Sequence, residues 1–224
     1  MRREPRRLSS RAVGWIDAVS VLPVVDVRPD VSAAAVGDRL LFIDCDFVLL
    51  PGAVRAHAEA ARPGRFVAAM CKYLPEQPSR LCLQTGLSAD EAVRAYDDLP
   101  QRPIQRAHEK FLWYTALIRL KLAPKRKLRC SSHFSIGRSD FEAINGYDEQ
   151  FHGWGGEDED MAHRMMLARM RPCSIIPRAR TLHVWHQPEL GGRHWREGSN
   201  VEYLNRSVVP ARCELGYARP HTSR

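Results

Sequence analysis

This 224-residue chain contains no long apolar run, no C-x-x-C pair, no internal repeat and no secretory signal, and each absence removes a class of protein. A membrane-spanning helix needs ~20 uncharged apolar residues. The best stretch, Phe111 to Leu122, is shorter and carries Arg119 and Lys121. The six cysteines, at 45, 71, 82, 130, 173 and 213, sit mostly in apolar surroundings. They read as reduced core or strand residues rather than a disulfide framework. Arg2 to Arg7 resembles the charged start of a leader, but Trp15 to Val25 is interrupted by Asp17 and lacks a small-residue cleavage pattern. The expectation is a cytoplasmic protein that can rest peripherally on a membrane.

What is present is an ordinary globular composition, 44% apolar and 27% charged, which excludes collagen, coiled coil and wholesale disorder. The net charge of +8 is unevenly spread. Residues 1–12 hold five Arg against one Glu, and residues 119–129 hold six Lys or Arg, so the rest of the chain is slightly acidic. That balance argues against a nucleic-acid-binding domain. The two tracts are either solvated segments or contacts for phosphates and anionic lipid.

Several elements are legible. Val21 to Val27 and Arg39 to Ile43 read as strands, the second without alternation, as in a parallel strand buried on both faces. A helix over AVRAHAEAAR, stopped by Pro63-Gly64, and a strand at Arg65 to Met70 complete a β-α-β order. Ser88 to Glu91 is a capping box opening a helix to about Asp98, and a second helical period runs from Pro103 to before Pro124. Ser131 to Gly137 reads as extended, and Ser139 to Glu142 repeats the capping-box pattern before a helix ended by Asn145-Gly146. Glu157 to Arg169 is a helix with an acidic first turn, followed by strands at Cys173 to Ile176 and Thr181 to Trp185. The class is α/β: a mostly parallel sheet flanked by helices. The expected organisation is a flexible basic segment at 1–20, one domain over 21–210 and a loosely ordered tail at 211–224.

Three clusters carry chemistry. Asp44 and Asp46 end a buried strand, where α/β sheets bind ligands, and two carboxylates there suit a hard divalent cation and its phosphates. They are equally compatible with solvated turn residues. In Phe151 to Asp160, glycines 153, 155 and 156 permit backbone shapes closed to other residues, and Trp154 offers a plane for a sugar ring. Glu157 and Asp158 begin the helix at its positive end, which would keep a carboxylate ionised and able to act as general base. Glu159 and Asp160 read as dipole complements only. His183 and His186, three apart on a strand, should point to opposite faces, so one of them would join Asp46 and the other would not. A nitrogen ligand beside carboxylate and phosphate oxygens shifts preference from magnesium toward manganese.

The stretches Gly37 to Val54, Ser131 to Met165 and Leu182 to Glu189 together resemble the GT-A glycosyltransferases, in particular glycosyltransferase family 2 and the C-terminal module shared with β-1,4-galactosyltransferases and chondroitin polymerases. The F-E-x-x-x-G-Y-D-E-x-F-x-G-W-G-x-E-D run from Phe141 is the most specific part. The resemblance implies a GT-A-like fold and an inverting transfer from a nucleotide-diphospho-sugar, UDP-linked, to a glycan or lipid-linked acceptor. It implies Mn2+ or Mg2+ held by Asp46 and His186, with His183 the second choice, and Asp44 at the ribose or the metal. It implies Asp158 as base, Glu157 positioning the acceptor, and Trp154 with Gly155 and Gly156 lining the acceptor site. Only 43 residues precede Asp44, so the nucleotide-binding half is expected to be shortened, with Val19 to Val27 as its remnant. Glu159 stands where the galactosyltransferase pattern has aspartate. The rival expectation is a truncated, catalytically impaired binding protein that keeps the acceptor half.

Overall fold

The computed structural model describes residues 19–23, 35–130, 133–152, 155–187, 198 and 200–218. The chain begins with strands β1 (Val19–Pro23), β2 (Arg39–Ile43) and β3 (Phe47–Leu49), then helix α1 (Ala53–Ala60), and strands β4 (Arg65–Ala68) and β5 (Lys72–Tyr73). Helices α2 (Glu76–Thr85), α3 (Ala89–Asp98) and α4 (Arg102–Arg119) follow, then a short 3-10 turn, Lys125–Lys127. The second half holds β6 (Phe134–Gly137), α5 (Arg138–Ala143), α6 (Glu157–Leu167), β7 (Arg171–Ser174), β8 (Thr181–His183) and α7 (Asn200–Leu204). Among the described residues no helix is long and apolar enough to cross a membrane.

The fold is α/β and GT-A-like, with two sheets of order β1-β2-β6-β4-β7 and β3-β8-β5. The expectation of a mostly parallel sheet needs correction. β1 with β2 and β4 with β7 are parallel, but β6 enters between β2 and β4 antiparallel to both. The β2-α1-β4 unit therefore spans an inserted strand. A short apolar run reveals its burial but not the direction of its neighbours, so the sequence carries no mark of this.

Alternation along β4 explains the layers. Phe66 and Ala68 face one side, where Phe42 stacks on Phe134 at 4.9 Å and Met161, Met165 and Phe111 close the core. Val67 and Ala69 face the other, against Ala56 and Ala60 of α1. In the smaller sheet, α3 covers Leu182 with Ala92 and Tyr96. Its capping box forms as expected, Ser88 with Glu91. Lys72 Nζ, 2.7 Å from the carbonyls of both Tyr96 and Leu99, satisfies the C-terminal end of α3.

Other expectations shift. The capping box at Ser139 does not form: α5 starts at Arg138 after Gly137 with no side-chain cap, and Asp140 Oδ2 accepts instead from the Gly64 amide at 3.1 Å. Asn145 and Gly146 end that helix with φ of 63° and 68°. Helix α2 has no counterpart in the sequence reading. Residues 211–218, placed by composition in a loose tail, clasp the 145–149 turn. Asn145 Nδ2 donates to the Cys213 carbonyl at 3.0 Å and Tyr217 N to the Asn145 carbonyl at 2.9 Å. A Cβ at Gly216 would lie 2.1 Å from the Asn145 carbonyl oxygen, so only glycine permits that approach.

Under the acidic turn lies a buried ion network. Arg164 is fully buried, its Nε 2.6 Å from Asp160 Oδ2 and its Nη1 3.0 Å from the Ile144 carbonyl. Arg206 reaches Asp160 Oδ1 at 2.8 Å, and Tyr203 donates to Asp148 Oδ2 at 2.8 Å. Asp160 is thus structural. Asp160→Ala, by stranding a buried guanidinium, is expected to destabilise the protein by about 3–5 kcal/mol in urea unfolding; a loss below ~1 kcal/mol would show the network to be dispensable.

Candidate active site

Strand β2 delivers its last apolar residue at Ile43 and the chain turns at once, Phe47 N bonding back to the Asp44 carbonyl at 3.1 Å. The Asp44-Cys45-Asp46 turn is thereby the joint between the two sheets. Val184 N donates to the Asp46 carbonyl at 2.9 Å, which ties this joint to the end of β8.

Here the structure corrects the sequence reading of the two histidines. Strand alternation stops at His183, because Val184 is drawn to Asp46 and Trp185 N donates to Ser79 Oγ of α2 at 2.8 Å. The chain folds back, and the His183 and His186 rings stack with centroids 5.3 Å apart. Both present Nε2 to Asp46 Oδ2, at 3.4 and 3.1 Å. One ligand atom from each of the three residues lies within 4.8 Å of the others.

The hydrogen bonds around this cluster suit a cation. His186 Nδ1 lies 3.0 Å from the Gln187 carbonyl, an acceptor only, so Nδ1 carries the proton. In the neutral ring Nε2 is then a lone pair aimed at a carboxylate, an arrangement that a positive charge between them makes favourable. Asp46 Oδ1 and His183 Nδ1 are buried without a hydrogen-bond partner among the described residues. One carboxylate and two imidazoles form a donor set suited to a borderline divalent ion.

Phe47 and Tyr73 flank His183 in the smaller sheet, with ring centroids at 5.3 and 4.9 Å, and Tyr73 is exposed. Neither was singled out in the sequence, since an aromatic on a short strand looks like core. The nearby thiols are poor nucleophiles. Burial pushes Cys71 up to about 12, and burial with the charges of Asp46 and Asp44 raises Cys45.

Asp158 lies in the first turn of α6, preceded by Gly155 and Gly156 at φ of 105° and 95°. A Cβ on Gly156 would sit 3.1 Å from the Phe151 ring. Tyr147 OH donates to Asp158 Oδ1 at 3.0 Å. The helix dipole does not keep Asp158 ionised as expected. Burial first, then the charges of Glu157 and Asp44, raise its pKa to about 8, and the Tyr147 hydrogen bond opposes them only in part. The same interaction shows that Asp44 and Asp158 share one electrostatic neighbourhood. Tyr147 itself is pushed well above its usual range by burial and by Asp158. Glu159, by contrast, pairs with Arg129 at 3.0 Å.

The acidic turn is held by a residue that sequence reasoning missed. Asn200, buried at the start of α7, accepts from His152 N at 3.1 Å and donates to the Gly155 carbonyl at 2.9 Å. It thereby ties His152 to Gly155. Trp154 lies outside the described residues, as does Gly153. The sequence shows no legible element at Asn200, and a single asparagine carries no local signal of contacts to residues more than 40 positions earlier.

A carboxyl whose folded pKa is raised from 3.8 to about 8 contributes stability at acid pH that is lost as pH rises toward 8. Asp158→Asn removes that penalty while keeping the acceptor for Tyr147. Its stability gain over wild type is expected to be near zero at about pH 4, to grow by up to about 1.4 kcal/mol per pH unit, and to level off above about pH 8. Each kcal/mol corresponds to about 2–4 °C in Tm. A difference that stays flat across this range in thermal melts would contradict the assigned environment.

Parts of the chain are similar to known glycosyltransferases. Residues 124–187 match a family model described as the N-terminal domain of galactosyltransferase. Human beta-1,4-galactosyltransferase 4 is 36% identical over 55 residues, 23% of this chain and 16% of that protein. Validoxylamine A glucosyltransferase of Streptomyces hygroscopicus subsp. jinggangensis is 27% identical over 162 residues, 63% of this chain and 35% of the relative. Its counterpart from subsp. limoneus matches equally, over 32% of its length. The chain thus spans from about a sixth to about a third of the length of these curated relatives. The matched segment contains α6 with Asp158 and both clustered histidines, so the chain carries a galactosyltransferase-type segment within its GT-A-like α/β fold.

Proposed function

We propose that the protein is a metal-dependent, inverting glycosyltransferase that moves a sugar from a UDP-linked donor to a hydroxyl of a glycan or lipid-linked acceptor. The observation that carries this reading is the convergence of Asp46, His183 and His186 at the end of β2, in the same acidic neighbourhood as Asp158. Asp46, His183 and His186 would hold the ion, with Asp44 beside the ribose or the metal. Two imidazole nitrogens favour Mn2+ over Mg2+. Bound there, the ion supplies Lewis-acid stabilisation of the charge that develops on the departing nucleoside diphosphate.

The chain's own residues do the rest. Asp158 takes the proton from the acceptor hydroxyl as that oxygen attacks the anomeric carbon from the face opposite the leaving group. A base with a pKa near the working pH is well matched to that task. Tyr147 fixes the Asp158 carboxyl through Oδ1, leaving Oδ2 for the acceptor. Glu157 positions the acceptor, and Gly155 and Gly156 let the backbone come close to it. Trp154 supplies the stacking plane.

The Mn2+–UDP complex at ~100 times its dissociation constant is expected to stabilise the wild type by about 2.7 kcal/mol, or about 5–10 °C. Asp46→Ala and His186→Ala should abolish the shift, whereas Asp158→Asn should keep it and lose sugar transfer. A wild type that shows no shift with any nucleoside diphosphate and divalent ion would falsify the enzymatic reading and leave a binding protein.

A further inference from the structure

One surface plays no part in the chemistry. Helix α4 buries Ile104 and Phe111 in the core, with Ala107, Tyr114 and Ile118 packed partly against it. Its opposite side should then be polar. It is not: Leu112 and Trp113 are 49% and 63% exposed, and Leu120 and Leu122 just beyond the helix are 66% and 71% exposed. Trp113, Ala116 and Leu120 follow at helical spacing, so these side chains form one stripe rather than scattered exceptions.

The stripe runs directly into the basic tract. Arg119, Lys121, Arg126 and Lys127 are all exposed and next to it in the chain. Leu128, buried in the core, and the 3-10 turn hold the tract in place. The helix ends in a Schellman-type closure, Lys121 N to the Ile118 carbonyl at 3.0 Å and Leu122 N to Leu117 at 2.8 Å. Lys121 occupies its left-handed position, φ 60°, where glycine is the favoured residue. A lysine kept there puts a charge between Leu120 and Leu122. Glu109, exposed on the same helix, is flanked in the chain by Arg106 and Lys110.

We propose that this face, Leu112, Trp113, Leu120 and Leu122 with the basic residues after them, docks on an anionic lipid bilayer surface. An interfacial helix needs apolar side chains that enter the acyl boundary, an aromatic at headgroup depth and lysines or arginines for anionic lipid, and all three occur here. A second copy of the chain would set two such positive faces against each other. A nucleic acid would leave the leucines without a use. The face also lies close to the reacting end of the protein. The charges of Arg126 and Lys125 are felt at His163 of α6, which is about 7.5 Å along the helix axis from Asp158. Such a placement suits an acceptor carried by a lipid, although the docking itself does not depend on the transfer reading.

Vesicle flotation of the full chain tests it by binding alone. The wild type is expected to bind phosphatidylcholine vesicles containing phosphatidylglycerol, more weakly as salt rises, and to ignore pure phosphatidylcholine. Replacing Trp113, Leu120 and Leu122 together by serine should lower binding about tenfold or more, as should Arg126→Glu with Lys127→Glu. Brominated lipid should quench the tryptophan fluorescence of the wild type, less so after Trp113→Phe, a readout that needs no disruptive variant. Equal or absent binding to the two vesicle types overturns the proposal. So does serine-variant binding equal to wild type, or an oligonucleotide that captures both proteins alike. A wild-type dimer that the serine substitutions dissociate would assign the face to self-association instead.

Discussion

The structure depends on the accumulation of negative charge at the carboxyl end of one buried strand. Asp44 and Asp46 are fixed there by the turn that joins the two sheets, and Glu157 and Asp158 come to the same region on the first turn of α6. Backbone geometry, not attraction, assembles them. Burial first, and then the charges of Glu157 and Asp44, push the Asp158 carboxyl up to about 8. A cation held by Asp46 and the two histidines would offset part of the negative charge near Asp158 and favour loss of its proton.

The surroundings show how such a site is kept in place. Asp160 in the same turn and Asp148 in the 145–149 turn are also buried, but each has its cation: Arg164 and Arg206 meet Asp160, and Arg206, with the Tyr203 hydroxyl, meets Asp148. The carboxylates paired with arginine hold the scaffold. Asn200 adds constraint where glycines 155 and 156 would otherwise leave the backbone free, and the 211–218 segment does the same for the 145–149 turn. Rigidity comes from C-terminal residues that take no part in the chemistry.

Much of this was legible in the sequence where a local rule governs. The apolar run ending in Asp44, the capping box at Ser88, the stop at Asn145-Gly146 and the acidic start of α6 all depend on neighbouring residues, and all are present. What failed depends on residues far apart. The antiparallel entry of β6, the bond from Trp185 to Ser79 that turns His186 back beside His183, and the clasp made by Asn200 link positions 45 to 106 residues apart. No periodicity records such contacts. The charge state of Asp158 was misjudged for the same reason, because the helix dipole is local while burial and Asp44 are not.

The claim on which the account most depends is that Asp46, His183 and His186 bind one ion together. Pulsed electron-nuclear spectroscopy of the protein loaded with Mn2+ reads this directly, since each coordinated imidazole leaves its own nitrogen coupling. The account predicts two nitrogen couplings in the wild type, reduced to one by His183→Ala and also by His186→Ala. A spectrum with no nitrogen coupling, or with a single one that the His183 substitution leaves unchanged, would contradict it.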